Sequence, residues 1–391
     1  MTTHQKSIGV TAAKGFRAAG VTAGIKASGT PDLALVVNDG PSLAAAGVFT
    51  SNRVKAAPVL WSQQVLKGGQ VAAVILNSGG ANACTGAGGF QDTHATAEKV
   101  AVELGVSAGE VAVASTGLIG ERLPMDILLP GVEQAAKALT ADGGEAAAIA
   151  IKTTDTVHKT AQVGSESGWT VGGMAKGAGM LAPGLATMLV VLTTDAAVSA
   201  EALDEALRAA TRTTFDRVDS DGCMSTNDTV LLLASGASQV TPAKAEFEQA
   251  VQQVCADLAR QLIGDAEGAS KDIRIDVTAA ATEDEAVDVA RTISRNNLLK
   301  CALHGEDPNW GRVLAAIGTT AAAFDPDRLD VAINGVWVCR DGSVGEDRDL
   351  VDMTGREITI TAKLNAGEAA ATVWTNDLTA DYVHENSAYS T

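Results

Sequence analysis

Thr187 has the most suggestive chemical setting in this sequence. It stands between Pro183-Gly184 and an apolar, β-branched run, within the stretch KGAGMLAPGLATMLVVLTTDA that begins at Lys176. Because Pro cannot donate to a sheet ladder and Gly supplies a bend, a turn followed by a buried strand is the ordinary interpretation. The second interpretation is that the turn presents Thr187 for reaction.

Cleavage of the peptide bond before Thr187 would put a nucleophile and its base on one residue. The Thr187 hydroxyl can attack the Ala186 carbonyl, the acyl group moves from nitrogen to oxygen, and water hydrolyses the ester. The α-amine that this frees has an ordinary pKa of about 7.7 to 8.0, so it can act as a base near neutral pH. Threonine paired with a free α-amine is a known activated nucleophile. The residues alone leave this hypothesis open against a simple strand threonine.

In two other segments, a predicted strand ends at a turn that contains glycine. ASTGLIG, residues 114–120, places the Thr116 hydroxyl and the Gly117 N–H where both could donate to a developing oxyanion, although a Thr-Gly pair at a strand end is more often only a turn. NSGGANACTGAGG, residues 77–89, is the kind of loop that can cradle an anion. It lacks the Walker Lys-Ser/Thr and the G-x-G-x-x-G spacing, which favours a tight strand-to-helix turn.

Other kinds of site find little support. The sequence has no Ser-His-Asp order, no G-x-S-x-G and no H-E-x-x-H, and its five histidines show no ligand spacing, which disfavours metal and His-base chemistry. Five scattered cysteines without a C-x-x-C pair indicate neither disulfides nor zinc. The net charge of -18 disfavours nucleic acid and anionic lipid as partners. Neither a secretory signal nor a membrane span is predicted, so a cytoplasmic protein is the simplest expectation.

The elements that would position these residues alternate between short strands and helices. The predicted strands begin at Leu33, Val71, Val111, Ala186 and Thr229, and the predicted helices cover 95–104, 200–210, 244–262 and a segment ending near Lys152. After about Lys271 the runs become longer and alternate, which predicts a second, antiparallel unit packed by one or two helices. We therefore divide the chain into an α/β core over residues 1–270 and a smaller domain over 271–391.

Taken together, the motifs resemble the ornithine acetyltransferase family, the glutamate N-acetyltransferases of arginine biosynthesis. Besides the Thr187 segment, the resemblance rests on GVTAAKGFRAAGVTAGIK, NSGGANACTG, ASTGLIG, TTDT, STNDT, DAEGASK, HGEDPNWGR and YVHENSAYST. The family cleaves itself before its threonine, which implies an α chain of residues 1–186 and a β chain from 187, assembled as an α2β2 heterotetramer. The implied fold is the self-cleaving αββα sandwich of the aminopeptidase and ornithine acetyltransferase kind, with a smaller C-terminal α+β domain.

The resemblance also implies roles for individual residues. Thr187, released from Ala186, is the implied nucleophile, and Thr116 with Gly117 is the implied oxyanion pair. Implied substrate contacts fall on Thr153, Lys176, Thr187, Glu267, Asn386 and Thr391. In charge terms, Lys176 suits an α-carboxylate, Glu267 an ammonium group, and the Thr391 carboxylate the side-chain ammonium of ornithine. No metal and no cofactor is implied, and acetyl-CoA is a candidate co-substrate because some members of the family accept it.

The implied reaction is a ping-pong transfer of acetyl from N2-acetyl-L-ornithine to L-glutamate through an acetyl-Thr187 ester. Two alternatives stay open: an N-terminal-nucleophile aminopeptidase or amidohydrolase, in which water reaches the ester, and a non-catalytic protein that binds through the Gly-rich loop. The stretch RVDSDGCMSTNDT from Arg217 departs from the family pattern. We therefore predict no role for Asp219 or Asp221, and a structural role for Asn227-Asp228.

Overall fold

Two β-sheets form the larger part of the fold. The computed structural model describes residues 8–182 and 188–388. One sheet contains β1 (Phe16–Val21), β2 (Leu33–Asn38), β4 (Ala73–Ser78) and β5 (Val111–Thr116), in that order. The other contains β3 (Ala45–Phe49), β9 (Thr229–Ala234), β8 (Leu189–Thr194), β7 (Thr170–Lys176) and β6 (Lys159–Gly164), in that order.

The two sheets pack face to face. Val36 and Leu76 of the first sheet share one hydrophobic cluster with Met174, Val191 and Leu231 of the second. β2, β4, β5, β8 and β9 are buried along their whole length because both faces of each sheet are covered. Such strands appear in a sequence as short continuous apolar runs rather than as alternating ones.

Helices cover the two outer faces. The helices of this part are α1 (Ala57–Val65), α2 (Gly86–Leu104), α3 (Met125–Lys137), α4 (Gly144–Ala150), α5 (Ala200–Thr213) and α6 (Lys244–Gly264). α2 and α3 pack on the four-stranded sheet, and α5 and α6 pack on the five-stranded sheet. The layers are therefore helix, sheet, sheet and helix, which is the predicted αββα sandwich.

A smaller α+β unit follows. Its strands are β10 (Asp272–Ala280), β11 (Asp330–Ile333), β12 (Val336–Arg340), β13 (Ser343–Val344), β14 (Glu357–Lys363) and β15 (Ala369–Asn376), in the sheet order β13-β12-β11-β14-β10-β15. Its helices are α7 (Glu283–Ser294), α8 (Asn297–His304) and α9 (Trp310–Ile317), and α10 (Ala380–Ala388) ends the described chain. The division after residue 270 stays a prediction.

The sheet of this unit is mixed, so the expectation of an antiparallel unit was wrong. β10 pairs with β14 in parallel and with β15 in antiparallel orientation. A parallel pair needs a long crossover connection, and the helices and strands between β10 and β14 provide it. The alternation of apolar and polar residues within a strand does not show whether the neighbouring strand is parallel or antiparallel to it.

Some elements of the sandwich also differ from the prediction. β8 begins at Leu189, and the residues before Met188 that were assigned to its start lie outside the described residues. β7 was not predicted, because Gly172 and Gly173 interrupt its apolar pattern. A Cβ at Gly172 would lie 2.1 Å from the Gly9 carbonyl oxygen, so close packing explains that glycine.

Within the described ranges, no helix has both the length and the apolar character needed to cross a bilayer.

Candidate active site

Thr116 and Gly117 form the turn that ends β5. Thr116 is buried, and its carbonyl accepts the Gly80 N–H at 3.0 Å. Gly117 has φ +131°, and a Cβ there would lie 2.5 Å from the Gly80 nitrogen. Only glycine fits this turn. It brings both residues to the wall of one cleft.

Lys176, the last residue of β7, lies beside this turn. It is 2% exposed, and its Nζ donates to Thr116 Oγ1 at 3.2 Å. Burial lowers the pKa of Lys176, and the negative charge of Asp155 opposes this. Within the described residues Lys176 forms no ion pair, so a ligand carboxylate in the cleft would favour its charged form. A hydrogen bond from this amino group also polarises the Thr116 hydroxyl and makes it a better donor.

Asp155 anchors the loop that carries Thr153. Its carboxylate accepts the backbone N–H of Thr153 at 3.0 Å and that of Gly177 at 2.6 Å, and it pairs with Lys159 at 2.6 Å. Burial raises the pKa of Asp155, but the positive charges of Lys176 and Lys159 and the hydrogen bonds outweigh it and bring the pKa to about 2. No role was predicted for Asp155, and its only signal in the sequence was its place in the TTDT motif.

Glu267 and Asn386 face the cleft from two other segments. Glu267 follows α6, and its backbone N–H donates to the Ala178 carbonyl at 3.0 Å. Its Oε2 accepts from Asn386 Nδ2 of α10 at 3.0 Å. A Cβ at Gly179 would lie 2.5 Å from Glu267 Oε2, so the glycine permits the approach of this carboxylate.

One cleft therefore gathers six of the predicted residues from distant parts of the chain. It is lined by Thr116, Gly117, Thr153, Lys176, Glu267 and Asn386, together with Thr154, Gly179 and Met180, for which no role was predicted. Ala186, Thr187 and Thr391 lie outside the described residues. Hydroxyl and amino groups on one side and a carboxylate on the other suit an amino-acid ligand. In the described part of the chain, no group of three His, Cys, Asp or Glu side chains is placed to hold a metal ion.

Asn227 and Asp228 support the chain around β8. Asn227 Nδ2 donates to the carbonyls of Ala81 at 2.6 Å and Ser115 at 2.8 Å, which connects the two sheets. Asp228 Oδ1 accepts the Met188 N–H at 3.1 Å, one residue after Thr187. Asp228 is fully buried, and burial raises its pKa. Both residues have the structural contacts that were expected of them.

Comparison with known proteins identifies the family. Residues 17–391 match the ArgJ family. The chain belongs to this family. It is 77% identical over 381 residues to the arginine biosynthesis bifunctional protein ArgJ of Streptomyces avermitilis, which covers 97% of this chain and 99% of the relative. It is 59% identical over 389 residues to the ArgJ protein of Mycobacterium tuberculosis, covering 98% of this chain and 96% of the relative.

Solved structures of the family are also similar in sequence. The structure of ornithine acetyltransferase complexed with ornithine from Mycobacterium tuberculosis is 62% identical, covers 46% of this chain and 96% of its own, and gives a TM-score of 0.45. The ArgJ structure from Bacillus halodurans is 36% identical, covers 51% and 98%, and gives 0.49. The family match and the identities to full-length relatives confirm the resemblance predicted from the motifs.

Proposed function

We propose that this chain transfers the acetyl group of N2-acetyl-L-ornithine to L-glutamate in arginine biosynthesis, after cleaving itself between Ala186 and Thr187. One observation carries the proposal: five segments converge on a cleft with a hydroxyl, a glycine turn and a buried lysine on one wall and a carboxylate on the other. Two comparisons support it. Relatives of nearly equal length are named arginine biosynthesis bifunctional proteins, and a solved relative is described as an ornithine acetyltransferase with ornithine bound.

The first half-reaction forms the acyl-enzyme. The Thr187 α-amine takes the hydroxyl proton as Thr187 Oγ attacks the acetyl carbonyl carbon. Negative charge develops on the carbonyl oxygen, and the Thr116 hydroxyl and the Gly117 N–H donate to it. The C–N bond to ornithine then breaks, the proton on the α-amine passes to the leaving nitrogen, and the acetyl group remains as an ester on Thr187.

The second half-reaction repeats these steps with L-glutamate. Its amine attacks the ester carbonyl, the same donors stabilise the oxyanion, and Thr187 Oγ leaves and recovers its proton through the α-amine. The products are N-acetyl-L-glutamate and free Thr187. Every atom and proton balances without a metal or a cofactor.

The remaining residues orient the substrate in this proposal. Lys176 binds the α-carboxylate, because its buried amino group has no ion-pair partner among the described residues. Glu267 binds an ammonium group with Asn386 beside it, and Thr153 and Thr391 complete the contacts. We also propose that the cleaved chains assemble as an α2β2 heterotetramer in the cytoplasm and that acetyl-CoA can act as a second acetyl donor.

Transfer of label tests the proposal. Purified protein is incubated with N2-[14C]acetyl-L-ornithine in the presence and absence of L-glutamate, and the products are separated. We expect labelled N-acetylglutamate only when glutamate is present, and parallel lines in double-reciprocal plots for the two substrates. Release of labelled acetate with no labelled N-acetylglutamate would instead establish a hydrolase. A parallel series with [14C]acetyl-CoA decides whether acetyl-CoA is a donor.

A further inference from the structure

A second cavity adjoins the reaction cleft and shares Glu267 with it. Its volume is about 220 Å³. This is below the roughly 300 to 1,000 Å³ of sites for drug-sized ligands and suits a small metabolite. We call it the Lys300 cavity, and its lining includes Ser220, Asp221, Arg295, Asn297, Lys300 and Tyr382.

The Lys300 cavity carries groups that bind a carboxylate. Lys300 is 6% exposed, its Nζ donates to the Ser220 carbonyl, and in the described part of the chain it forms no ion pair. Asn297 is the first residue of α8. The Asn296 side chain accepts the Leu299 N–H, whereas the N–H groups of Asn297 and Leu298 before it have no partner within the helix. Arg295 adds a guanidinium whose Nε donates to Asp219 at 2.8 Å. A helix start beside a buried lysine and an arginine favours an anion.

The rest of the lining favours a zwitterion over a phosphate. Asp221, Asp377 and Glu267 also line the cavity, and their charges would repel a dianion and attract an ammonium group. Burial, together with the charges of Asp221 and Glu267, raises the pKa of Tyr382 to about 12, so its phenol is neutral at physiological pH. Groups of both signs in a small cavity match the carboxylate and ammonium of an amino acid.

The cavity also touches residues that shape the reaction cleft. The Asp221 carboxylate accepts the Cys223 N–H at 3.1 Å and is hydrogen-bonded to the backbone N–H of Met180, which lines the cleft. Tyr382 lies four residues before Asn386 on α10, and its carbonyl accepts from Asn386 Nδ2 at 3.0 Å. A ligand in the Lys300 cavity therefore lies against two supports of the cleft.

We propose that the Lys300 cavity binds a free α-amino acid, with its carboxylate at Lys300 and the start of α8, and that occupancy changes substrate binding in the reaction cleft. Binding of an amino acid in the Lys300 cavity does not depend on the acetyl transfer proposed above. The effect of this binding on the reaction cleft rests on that function.

Tyr382 offers a local readout, because the chain has two tyrosines, Tyr382 and Tyr389. The full chain is labelled with 3-fluorotyrosine, and Tyr389→Phe assigns the two 19F signals. L-ornithine, L-glutamate and inorganic phosphate are then added in separate titrations. We expect a saturable shift of the Tyr382 signal with an amino acid. A phosphate response at lower concentration than either amino acid, or no saturable response at all, would overturn the proposal.

Variants decide whether the response comes from the Lys300 cavity. Asn297 is exposed, so Asn297→Asp preserves the fold, and it should raise the midpoint of the titration by about 10-fold because its carboxylate repels the carboxylate of the ligand. Lys300→Gln should do the same. Leu298→Asp adds the same charge in the same helical turn at a residue outside the lining, and Thr116→Ala alters only the reaction cleft. Equal weakening by Asn297→Asp and Leu298→Asp, or loss of the response in Thr116→Ala, would contradict the assignment.

Steady-state rates test the coupling. At fixed N2-acetyl-L-ornithine, and at L-glutamate concentrations above the range in which the double-reciprocal plots are parallel, we expect the rate to depart from a hyperbola. Asn297→Asp should move that departure to about 10-fold higher concentration. Identical curves for the two proteins would refute the coupling. Absence of any acetyl transfer would refute the proposed function, while the 19F titration would still decide whether the cavity binds an amino acid.

Discussion

The two walls of the reaction cleft are held in different ways. One wall consists of strand ends, Thr116 at the end of β5 and Lys176 at the end of β7, and both residues are 2% exposed. The other consists of Glu267 in a loop and Asn386 on α10, where Asn386 is exposed. Buried donors that packing fixes in place stabilise developing charge without reorganising, whereas the half-buried Glu267 and the exposed Asn386 can adapt to a ligand. We infer that Thr116 and Gly117 of the strand wall perform the chemistry, that Lys176 of the same wall binds the substrate carboxylate, and that the loop and helix wall selects the substrate.

This difference separates the expected kinetic effects. An interaction that is made only in the transition state lowers kcat when it is removed, and uniform binding raises KM. Changes at Thr116 should therefore lower kcat, changes at Gly117 or Asp155 should destabilise the fold, and changes in the other wall should raise KM.

The largest effect is expected at Thr116. Thr116→Ala removes one oxyanion donor and should lower kcat by roughly 10²- to 10³-fold, with little change in KM. Steady-state kinetics of acetyl transfer measure this, and circular dichroism checks the fold. Thr116→Ser keeps the hydroxyl and should retain most of the activity. A Thr116→Ala enzyme with unchanged kcat would remove Thr116 from the mechanism.

We expect substitution of Gly117 by any larger residue to destabilise the fold. Gly117→Ala places a Cβ 2.5 Å from the Gly80 nitrogen at φ +131°, and should lower the free energy of unfolding by about 3 kcal/mol. Gly120→Ala is the matched control, since Gly120 has φ +92° and no atom lies within 4 Å of its added Cβ. The control should lose about 1 to 2 kcal/mol from dihedral strain alone. Equal losses in urea unfolding would show that the close approach to Gly80 has no energetic weight.

Asp155 should make the strand wall sensitive to acid. Its pKa falls from 3.8 to about 2 on folding, so its stabilisation is present above about pH 4 and is lost as the pH falls towards 2. The shift corresponds to about 2 kcal/mol. Asp155→Asn should therefore be less stable than the unmodified protein at pH 7, and urea unfolding should show the difference shrink between pH 4 and pH 2. Asp349→Asn, at an exposed carboxylate, serves as the control, and a difference that stays constant with pH would contradict this assignment.

The smallest effect is expected on the loop and helix wall. Asn386→Ala removes the hydrogen bond to Glu267 and should raise the KM for N2-acetyl-L-ornithine by about 10-fold, with kcat nearly unchanged. Ser387→Ala, at the next exposed residue of α10, should leave both constants as they are. If Asn386→Ala lowered kcat and left KM unchanged, the assignment of substrate selection to the loop and helix wall would be wrong.

The sequence predicted the sandwich best where packing is simplest. β5 matches its predicted start at Val111, and α6 matches the apolar face of Phe247, Val251 and Leu258, because burial on two faces or on one helical stripe leaves a clear pattern. β7 was missed because its glycines are required by close packing. The parallel pairing of β10 with β14 was missed because its partners, such as Asp272 and Glu357, lie far apart in the sequence, and local patterns do not show which distant strands pair.

The candidate site, too, could be predicted from the sequence only in part. Motifs identified six of the nine residues that line the cleft, yet nothing in their spacing indicated the ion pair between Asp155 and Lys159 or the low pKa of Asp155. Likewise, no role could be predicted for Asp219 and Asp221, which meet residues of the C-terminal unit around the Lys300 cavity. Such electrostatic networks depend on contacts between distant segments, which local sequence patterns do not report.

The central claim is that Thr187 is both the cleavage point and the nucleophile. Intact-mass measurement of the denatured, purified protein tests it most directly. We predict two chains, residues 1–186 and 187–391, and a single uncut chain of 391 residues for Thr187→Ala. A Thr187→Ala protein that is still cut at this bond, or an uncut protein that transfers acetyl at full rate, would contradict the account.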